Sequence, residues 1–495
     1  MDTREVSLAD AAVRGVGFTL SAQLLRALTQ VASVVILSRL LPSSDFGILA
    51  MITAIVGIAT VLGDFGLSTA AIQARSISNA QRSNLFWANT LFGLVVAGIL
   101  LLIAGLIAGF YREPEIEPLV RVLAVTFVIN AFTTQFRAEL TRELRFHLLA
   151  IVDTVAPIVG LLAAIVLAVA GFGAWALVWQ QVAIALVTLV GCVAATKWRP
   201  GWPARAPMRS LITFGLGAFG VQLVTYLSTN VDNVILGRFA GVVNTGYYAR
   251  AFQLFRLPSQ QIATPIGLVA LPVLSRLQQD QKKFEAYFER AHLAMLYSFG
   301  GLSFAMAACS WPIIDVALGP GWGPAKPLFL VLALGGVFQS MTYAYMWAFQ
   351  AKGLVGVQLK YALIGRTLMI GLLFAGLPFG TIGVAAGSAA GQLVMWLIYT
   401  IFAVERFGFS RGRIVRLVIG PTSIGVIAAI AAGAVSIATG ALPPALHLTV
   451  ALAAFAAVWL LAAYAIPPVR RTVLELWRTV MRLFARRPDL ARSTV

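Results

Sequence analysis

Residues 84–110 read NLFWANTLFGLVVAGILLLIAGLIAGF, a run without one acidic or basic side chain. An α-helix rises about 1.5 Å per residue, so roughly 20 apolar residues cross a bilayer core of about 30 Å. This run is long enough to do so. Its apolar residues are continuous, whereas a membrane β-strand would alternate polar and apolar positions. Working outward, similar runs recur along the 495-residue chain. They predict helices over roughly 16–38, 46–68, 84–110, 116–138, 148–171, 173–196 and 211–235, then 244–272, 287–311, 326–350, 355–377, 380–404, 415–438 and 445–466. The fold class is therefore an all-α polytopic membrane protein of about fourteen spans, the first of them retained.

Composition agrees. The chain is 59% hydrophobic and 11% charged, against roughly 25% charged in soluble proteins. That excludes a soluble enzyme, a secreted disulfide scaffold and a disordered chain. The two cysteines, Cys192 and Cys309, lie in apolar runs, and His147, His292 and His447 are scattered. Neither a disulfide framework nor a metal site is expected. The net charge of +18 is read as the bias of cytoplasmic loops, not as nucleic-acid binding.

The basic residues alternate loop by loop. With the N-terminus inside, cytoplasmic segments hold Arg4 and Arg14, Arg75 and Arg82, Arg142 and Arg145, Lys197 to Arg209, Arg276 to Arg290, Lys352, Arg406 to Arg416, and seven arginines of the tail. The opposite face holds Arg39, Arg112, Arg238 and Lys326. This pattern places both termini in the cytoplasm. The outer loops, near 111–115 and 318–325, are too short for a folded domain.

An internal repeat organises the spans. Val35-Ile36-Leu37-Ser38-Arg39, then Gly47 and Ala50, matches Val234-Ile235-Leu236-Gly237-Arg238, then Gly246 and Ala249, at a constant offset of 199. The same offset pairs Gln23 with Gln222 and Leu24 with Leu223. Two six-helix blocks in one orientation make a parallel repeat. The expected organisation is an N-terminal lobe 1–197, a cytoplasmic linker 198–210, a C-terminal lobe 211–405, two additional helices within 406–466 and a tail 467–495. In the tail, Val473, Leu476, Trp477, Val480, Leu483 and Phe484 recur at helical spacing opposite arginines, which suits the surface of an anionic leaflet.

Charges inside spans mark candidate sites, because each costs at least about 2.5–3.5 kcal/mol in hydrocarbon. The basic candidates for a cationic substrate cavity are Arg26, Arg250, Arg256, Lys360 and Arg366. Arg121 and Arg137 are further candidates, and for them and Arg250, which lie nearer span edges, snorkelling is the favoured alternative. Asp64, Asp153 and Asp232 either couple transport to an ion or pair with neighbouring arginines. Pro258 and Pro265 beside Arg256 predict a broken helix at a transport site. A positive, partly dry cavity suits an anion, and guanidinium suits phosphate through paired hydrogen bonds. Asn89, Gln180, Gln181, Tyr226, Asn230, Asn233, Gln339 and Tyr343 either hydrogen-bond sugars or join helices. No nucleotide loop, metalloprotease or serine-hydrolase motif occurs in the sequence. Hence no catalytic residue and no cofactor is expected.

Three stretches carry a family resemblance. They are Leu37-Ser38-Arg39-Leu40-Leu41-Pro42 with Asp45-Phe46-Gly47 and Gly63-Asp64-Phe65-Gly66-Leu67-Ser68-Thr69-Ala70; Arg142-Glu143-Leu144-Arg145-Phe146 with Gly171-Phe172-Gly173-Ala174-Trp175-Ala176-Leu177; and Leu257-Pro258 with Leu271-Pro272-Val273-Leu274-Ser275-Arg276-Leu277-Gln278. Over roughly residues 15–290 the chain resembles the Wzx-type polysaccharide flippases, in their colanic-acid-exporter-like branch. That superfamily also holds multidrug exporters and the lipid II flippase. The resemblance implies a two-lobe alternating-access carrier of undecaprenyl-pyrophosphate-linked oligosaccharide, serving surface polysaccharide biosynthesis such as lipopolysaccharide or exopolysaccharide. Its expected partners are that substrate, membrane lipids and a polysaccharide polymerase or export complex. A cation-coupled multidrug exporter of the same fold is the alternative, and a membrane glycosyltransferase or glycan ligase a more distant one.

Overall fold

The computed structural model describes residues 3–64, 77–208, 226, 230–466 and 470. The expected span 211–235 lies mostly outside these residues, and so do Gln222, Leu223 and the tail beyond Arg470. The chain forms two compact units, Met1–Gly246 and Tyr247–Val495. Every regular element among the described residues is helical. In the first unit these are α1 (Thr3–Leu40), α2 (Ser43–Asp64), α3 (Asn79–Tyr111), α4 (Ile116–Arg142), α5 (Phe146–Val169), α6 (Ala174–Ala195) and a helical segment α7 over 230–239.

The unit boundary falls in the first turns of α8 (Val242–Leu277). Then come α9 (Gln281–Met295, continued through a π turn as Gly301–Ala308), the short α10 (Ser310–Ala317), α11 (Ala325–Ala351), α12 (Val355–Gly376), α13 (Gly380–Ile398), α14 (Arg411–Ala438) and α15 (Pro444–Ala465). Among the described residues, ten helical stretches are long and apolar enough to cross a membrane, and one of them, Val355–Phe407, comprises both α12 and α13.

Local chemistry sets the helix ends. Ser78 accepts from the Gln81 amide while the Gln81 side chain accepts from the Ser78 amide, a capping box that starts α3. Asp280 and Ser410 cap α9 and α14 through the amides of Lys283 and Arg413. The α4–α5 connection turns at Leu144, in the left-handed region at φ 55°.

Lipid supplies no hydrophobic drive between helices, so packing rests on close fit and small residues. The α12–α13 hairpin shows this. A Cβ on Gly376 would meet the backbone of Gly383, one on Gly387 would lie 2.5 Å from the Leu372 carbonyl oxygen, and one on Gly391 would enter Met369. Outward faces are apolar instead: Leu102, Leu106 and Ile437 are exposed as lipid-facing residues should be.

The repeat reappears as contact. A Cβ on Gly47 would collide with the Val242 carbonyl, and a Cβ on Gly246 with the Ser43 carbonyl; each would lie 3.1 Å from the other glycine's nitrogen. Ser43 with Val242, and Gly47 with Gly246, are separated by the repeat offset. This reciprocity is what a local two-fold axis between the two segments produces, and it explains why both positions are glycine.

The linker 198–208 is fastened to α3. Asn84 donates to the Ala204 carbonyl (2.7 Å) and accepts from its amide (3.0 Å), and the Trp87 indole donates to Gly201 (2.9 Å). Gln81 donates to the Pro207 carbonyl, and Trp202 stacks on Trp87.

The predicted break in α8 is not observed. One continuous helix carries Pro258, Pro265 and Pro272. Each proline removes one hydrogen bond, and a seven-residue spacing leaves intact turns between the gaps.

Candidate functional site

In the first unit, three helices bring charges together. Arg137 on α4 grips Asp153 on α5 with two parallel bonds, Nη1 to Oδ1 at 2.6 Å and Nη2 to Oδ2 at 2.7 Å. Arg26 on α1 adds an ion-pair contact, Nη2 to Oδ2 at 3.0 Å. Asp153 is 18% exposed, Arg26 39% and Arg137 43%, so the arginines present an open side. The triad carries a net positive charge. α1 and α5 lie side by side, which brings Arg26 level with Asp153, while the Thr154 hydroxyl donates to the Ala150 carbonyl of its own helix (2.7 Å). Close by on α4, buried Glu139 pairs with Arg82 of α3.

In the second unit, α8 divides into two faces. Tyr248, Ala251, Phe255, Ser259 and Ala263 are buried. Gln253, Arg256, Gln260, Gln261 and Thr264 are exposed, at helical spacing. Lipid would leave the Gln260 and Gln261 amides and the Arg256 guanidinium poorly solvated, at a cost of several kcal/mol. Such a face suits water or a polar ligand better than lipid tails. The sequence reading singled out Arg256 and passed over the glutamines and Thr264, although their spacing was available.

The remaining candidates are placed as follows. Arg250 is buried, and its Nη1 donates to Gln253 Oε1 at 2.6 Å. Lys360 is exposed on α12, and Arg366 is half-buried there beside Tyr399. Asp232 is buried and accepts from the Asn233 amide. The side chain of Asp64 lies outside the described residues. Thus Arg26 and Asp153 meet, together with Arg137, which had been read as snorkelling. Several polar candidates join helices: Gln180 donates to Ser33, Tyr226 to the Thr53 carbonyl, and Tyr343 contacts both Ser259 and Gln339. Asn89 is wholly buried. Among the described residues no group of three or more His, Cys, Asp or Glu side chains could hold a metal ion.

At the end of the second unit that carries Lys282 and Lys283, a polar knot ties four elements. Arg413 pairs with Glu285 (2.7 Å) and Glu289, Gln281 donates to Glu285 and to the Phe407 carbonyl, and Lys352 donates to Gln281 (2.9 Å). Beneath it lie the buried rings of Phe284, Phe288, Tyr345, Phe349 and Phe407. Outside the spans, the Lys283 ammonium and amide both hydrogen-bond the Asp280 carboxyl and hold it below the usual carboxylate range.

These features describe a helical protein with multiple stretches of membrane-crossing length, and solved structures agree on the fold. The inward-closed lipid II flippase MurJ superposes with a TM-score of 0.70 over 90% of this chain and 98% of its own, at 13% identity. An inward-facing MATE multidrug transporter of the MOP superfamily gives 0.62 over 81% and 98%, at 16% identity. The chain belongs to the polysaccharide biosynthesis protein family, whose profile matches residues 36–327. Relatives include the lipopolysaccharide biosynthesis protein WzxC of Escherichia coli (25% identical, 72% of this chain and 74% of the relative). The teichuronic acid biosynthesis protein TuaB of Bacillus subtilis is 26% identical over 71% and 72%, and the succinoglycan biosynthesis transport protein ExoT of Rhizobium meliloti 24% over 76% and 75%.

Proposed function

We propose that this protein is a flippase that moves an undecaprenyl-pyrophosphate-linked oligosaccharide from the cytoplasmic to the periplasmic leaflet of the inner membrane, by alternating access. The observation that carries this reading is the exposed face of α8. It sets hydrogen-bonding side chains and the guanidinium of Arg256 along a helix built to cross a membrane. Amides and a hydroxyl suit a glycan, and a guanidinium suits its diphosphate. The polyprenyl tail stays in lipid. The sequence holds no nucleotide loop, so the driving force is an ion gradient or the membrane potential. Asp64, Asp153 and Asp232 are the acids available to a coupling ion.

The direct test deletes the gene in its native host and determines the leaflet of the accumulated lipid-linked oligosaccharides. Trapping on the cytoplasmic side with loss of surface glycan supports the flippase. Normal translocation in a host without a second flippase overturns it and favours a multidrug exporter of the same fold. Arg26→Ala, Arg256→Ala and Arg366→Ala should each reduce flipping at unchanged protein abundance. Wild-type flipping by all three refutes the cationic cavity.

A further inference from the structure

The linker 198–208 lies on the lipid side of α3. Its anchor points, Asn84 and Trp87, share one helical stripe with Leu91, Val95 and Leu102. Those three side chains are exposed, as lipid-facing residues should be. The linker therefore runs over the outside of the helices of the first unit. Two tryptophans give it an inner and an outer side. Trp198 packs inward on Phe86 and Phe136, with ring centres 6.2 and 5.5 Å away. Trp202 stacks on Trp87 with the rings 8° from parallel, and remains 85% exposed.

The backbone of the linker is suited to a poorly hydrated place. Pro200, Pro203 and Pro207 carry no amide hydrogen. The amides of Gly201 and Ala204 donate to Ser83 Oγ and Asn84 Oδ1, both at 3.0 Å. The carbonyls of Gly201, Ala204 and Pro207 accept from Trp87, Asn84 and Gln81. In water an irregular segment needs none of these bonds, whereas near hydrocarbon each unmade one is costly.

Depth and charge point the same way. The charge-free run 84–110 is ~40 Å long at about 1.5 Å per residue, the thickness of a bilayer with its headgroup regions. Asn84 marks one end of it, and Trp87 lies ~5 Å further in. Indoles gather at this level of a membrane. Arg199 is engaged with the Thr196 carbonyl at 2.7 Å. Lys197 and Arg205 are exposed and form no ion pair among the described residues, and 196–208 contains no acid.

We propose that the linker is an interfacial strap that binds anionic phospholipid, with Trp202 seated among the headgroups and Lys197 and Arg205 facing lipid phosphate. In the orientation set by the basic loops, the lipid belongs to the cytoplasmic leaflet. The inference needs only a membrane-spanning chain and is independent of what the chain carries. The strap moors the first unit to one leaflet: the indole supplies interfacial anchoring, and the two cations select for a negative headgroup.

The test uses the full-length chain in mixed micelles of phosphatidylglycerol and phosphatidylcholine in equal amounts, with retained lipids counted by native mass spectrometry. Wild-type protein is expected to retain phosphatidylglycerol preferentially. Lys197→Gln/Arg205→Gln should weaken this preference about thirtyfold, the equivalent of ~1 kcal/mol for each of two charges. Both side chains are exposed and unpaired, so the variant should fold normally. Arg276→Gln/Lys282→Gln removes two exposed charges near the α8–α9 connection and should leave the preference unchanged. In nanodiscs, phosphatidylcholine brominated near the headgroup end of its acyl chains should quench the fluorescence of wild type more than that of Trp202→Phe. If it quenches the two equally, Trp202 faces the cytosol, as a docking surface for another protein would, and the strap is refuted. No preference in wild type, an unchanged preference in the strap variant, or an equal loss in both double variants refutes it as well.

Discussion

The α12–α13 hairpin allows a sharp test of how these helices are held. A Cβ on Gly387 would lie 2.5 Å from the Leu372 carbonyl oxygen and 2.8 Å from its carbon. A carbon and a carbonyl oxygen rest at about 3.3 Å, so Gly387→Ala must separate the helices locally by ~0.8 Å. A gap of that size forfeits a quarter to a half of the dispersion well at each affected contact. Overpacked sites typically lose about 1–3 kcal/mol. Gly371, on α12, has nothing within 4 Å of its Cβ position, so Gly371→Ala carries only the helix-propensity gain. That gain is common to both substitutions and cancels in their difference. We therefore expect Gly387→Ala to be about 2 kcal/mol less stable than Gly371→Ala, read as the midpoint of a reversible denaturation in mixed micelles. Equal midpoints, or a more stable Gly387→Ala, would show that backbone proximity is not what holds this hairpin.

Three further outcomes are expected. Glu139→Gln strands the Arg82 guanidinium against a buried partner and should cost ~3 kcal/mol, with much of the loss recovered in Arg82→Gln/Glu139→Gln; thermal unfolding of the single and double variants measures both. Ser436→Ala removes the 2.8 Å bond to His447 between α14 and α15 and should lower stability by about 1 kcal/mol in the same assay. Asp280 caps α9 with a carboxyl that Lys283 holds below its usual range. A lowered pKa means that the cap is complete above the ordinary range and is lost only as pH falls through the lowered value. Amide exchange at Lys283, corrected for intrinsic rate, should thus stay slow at pH ~3.9 and become fast in Asp280→Ala at every pH.

Helix existence was legible because apolar runs of bilayer length admit few other structures. The run 84–110 becomes Asn79–Tyr111, 148–171 becomes Phe146–Val169, and 445–466 becomes Pro444–Ala465. The pairing of Gly47 with Gly246 was foreshadowed by the repeat. The partner of Arg137 was not legible. Its meeting with Asp153 depends on the register of the α4–α5 hairpin, fixed by a left-handed turn at Leu144 that leucine rarely adopts. The polar face of α8 was present in the spacing but hidden by its prolines, which suggested a break. The π turns at Leu296–Gly300 and Tyr399–Ala403 have no signal in composition, since packing decides where an extra residue is accommodated in a helix.

The prolines of α8 also bear on biogenesis. Each leaves the carbonyl four residues earlier without its amide, so Leu254, Gln261 and Leu268 keep free acceptors. Arg250 and Arg256 lie in the same helix, which is the least apolar of the ten membrane-length stretches among the described residues. A segment of this kind partitions poorly from the translocon on its own. It must remain in the channel, or beside it, until more apolar neighbours such as Ala325–Ala351 have been synthesised, so insertion of this region is delayed and cooperative. A truncation ending just after α8 would then be degraded, although the spans before it are individually competent to insert.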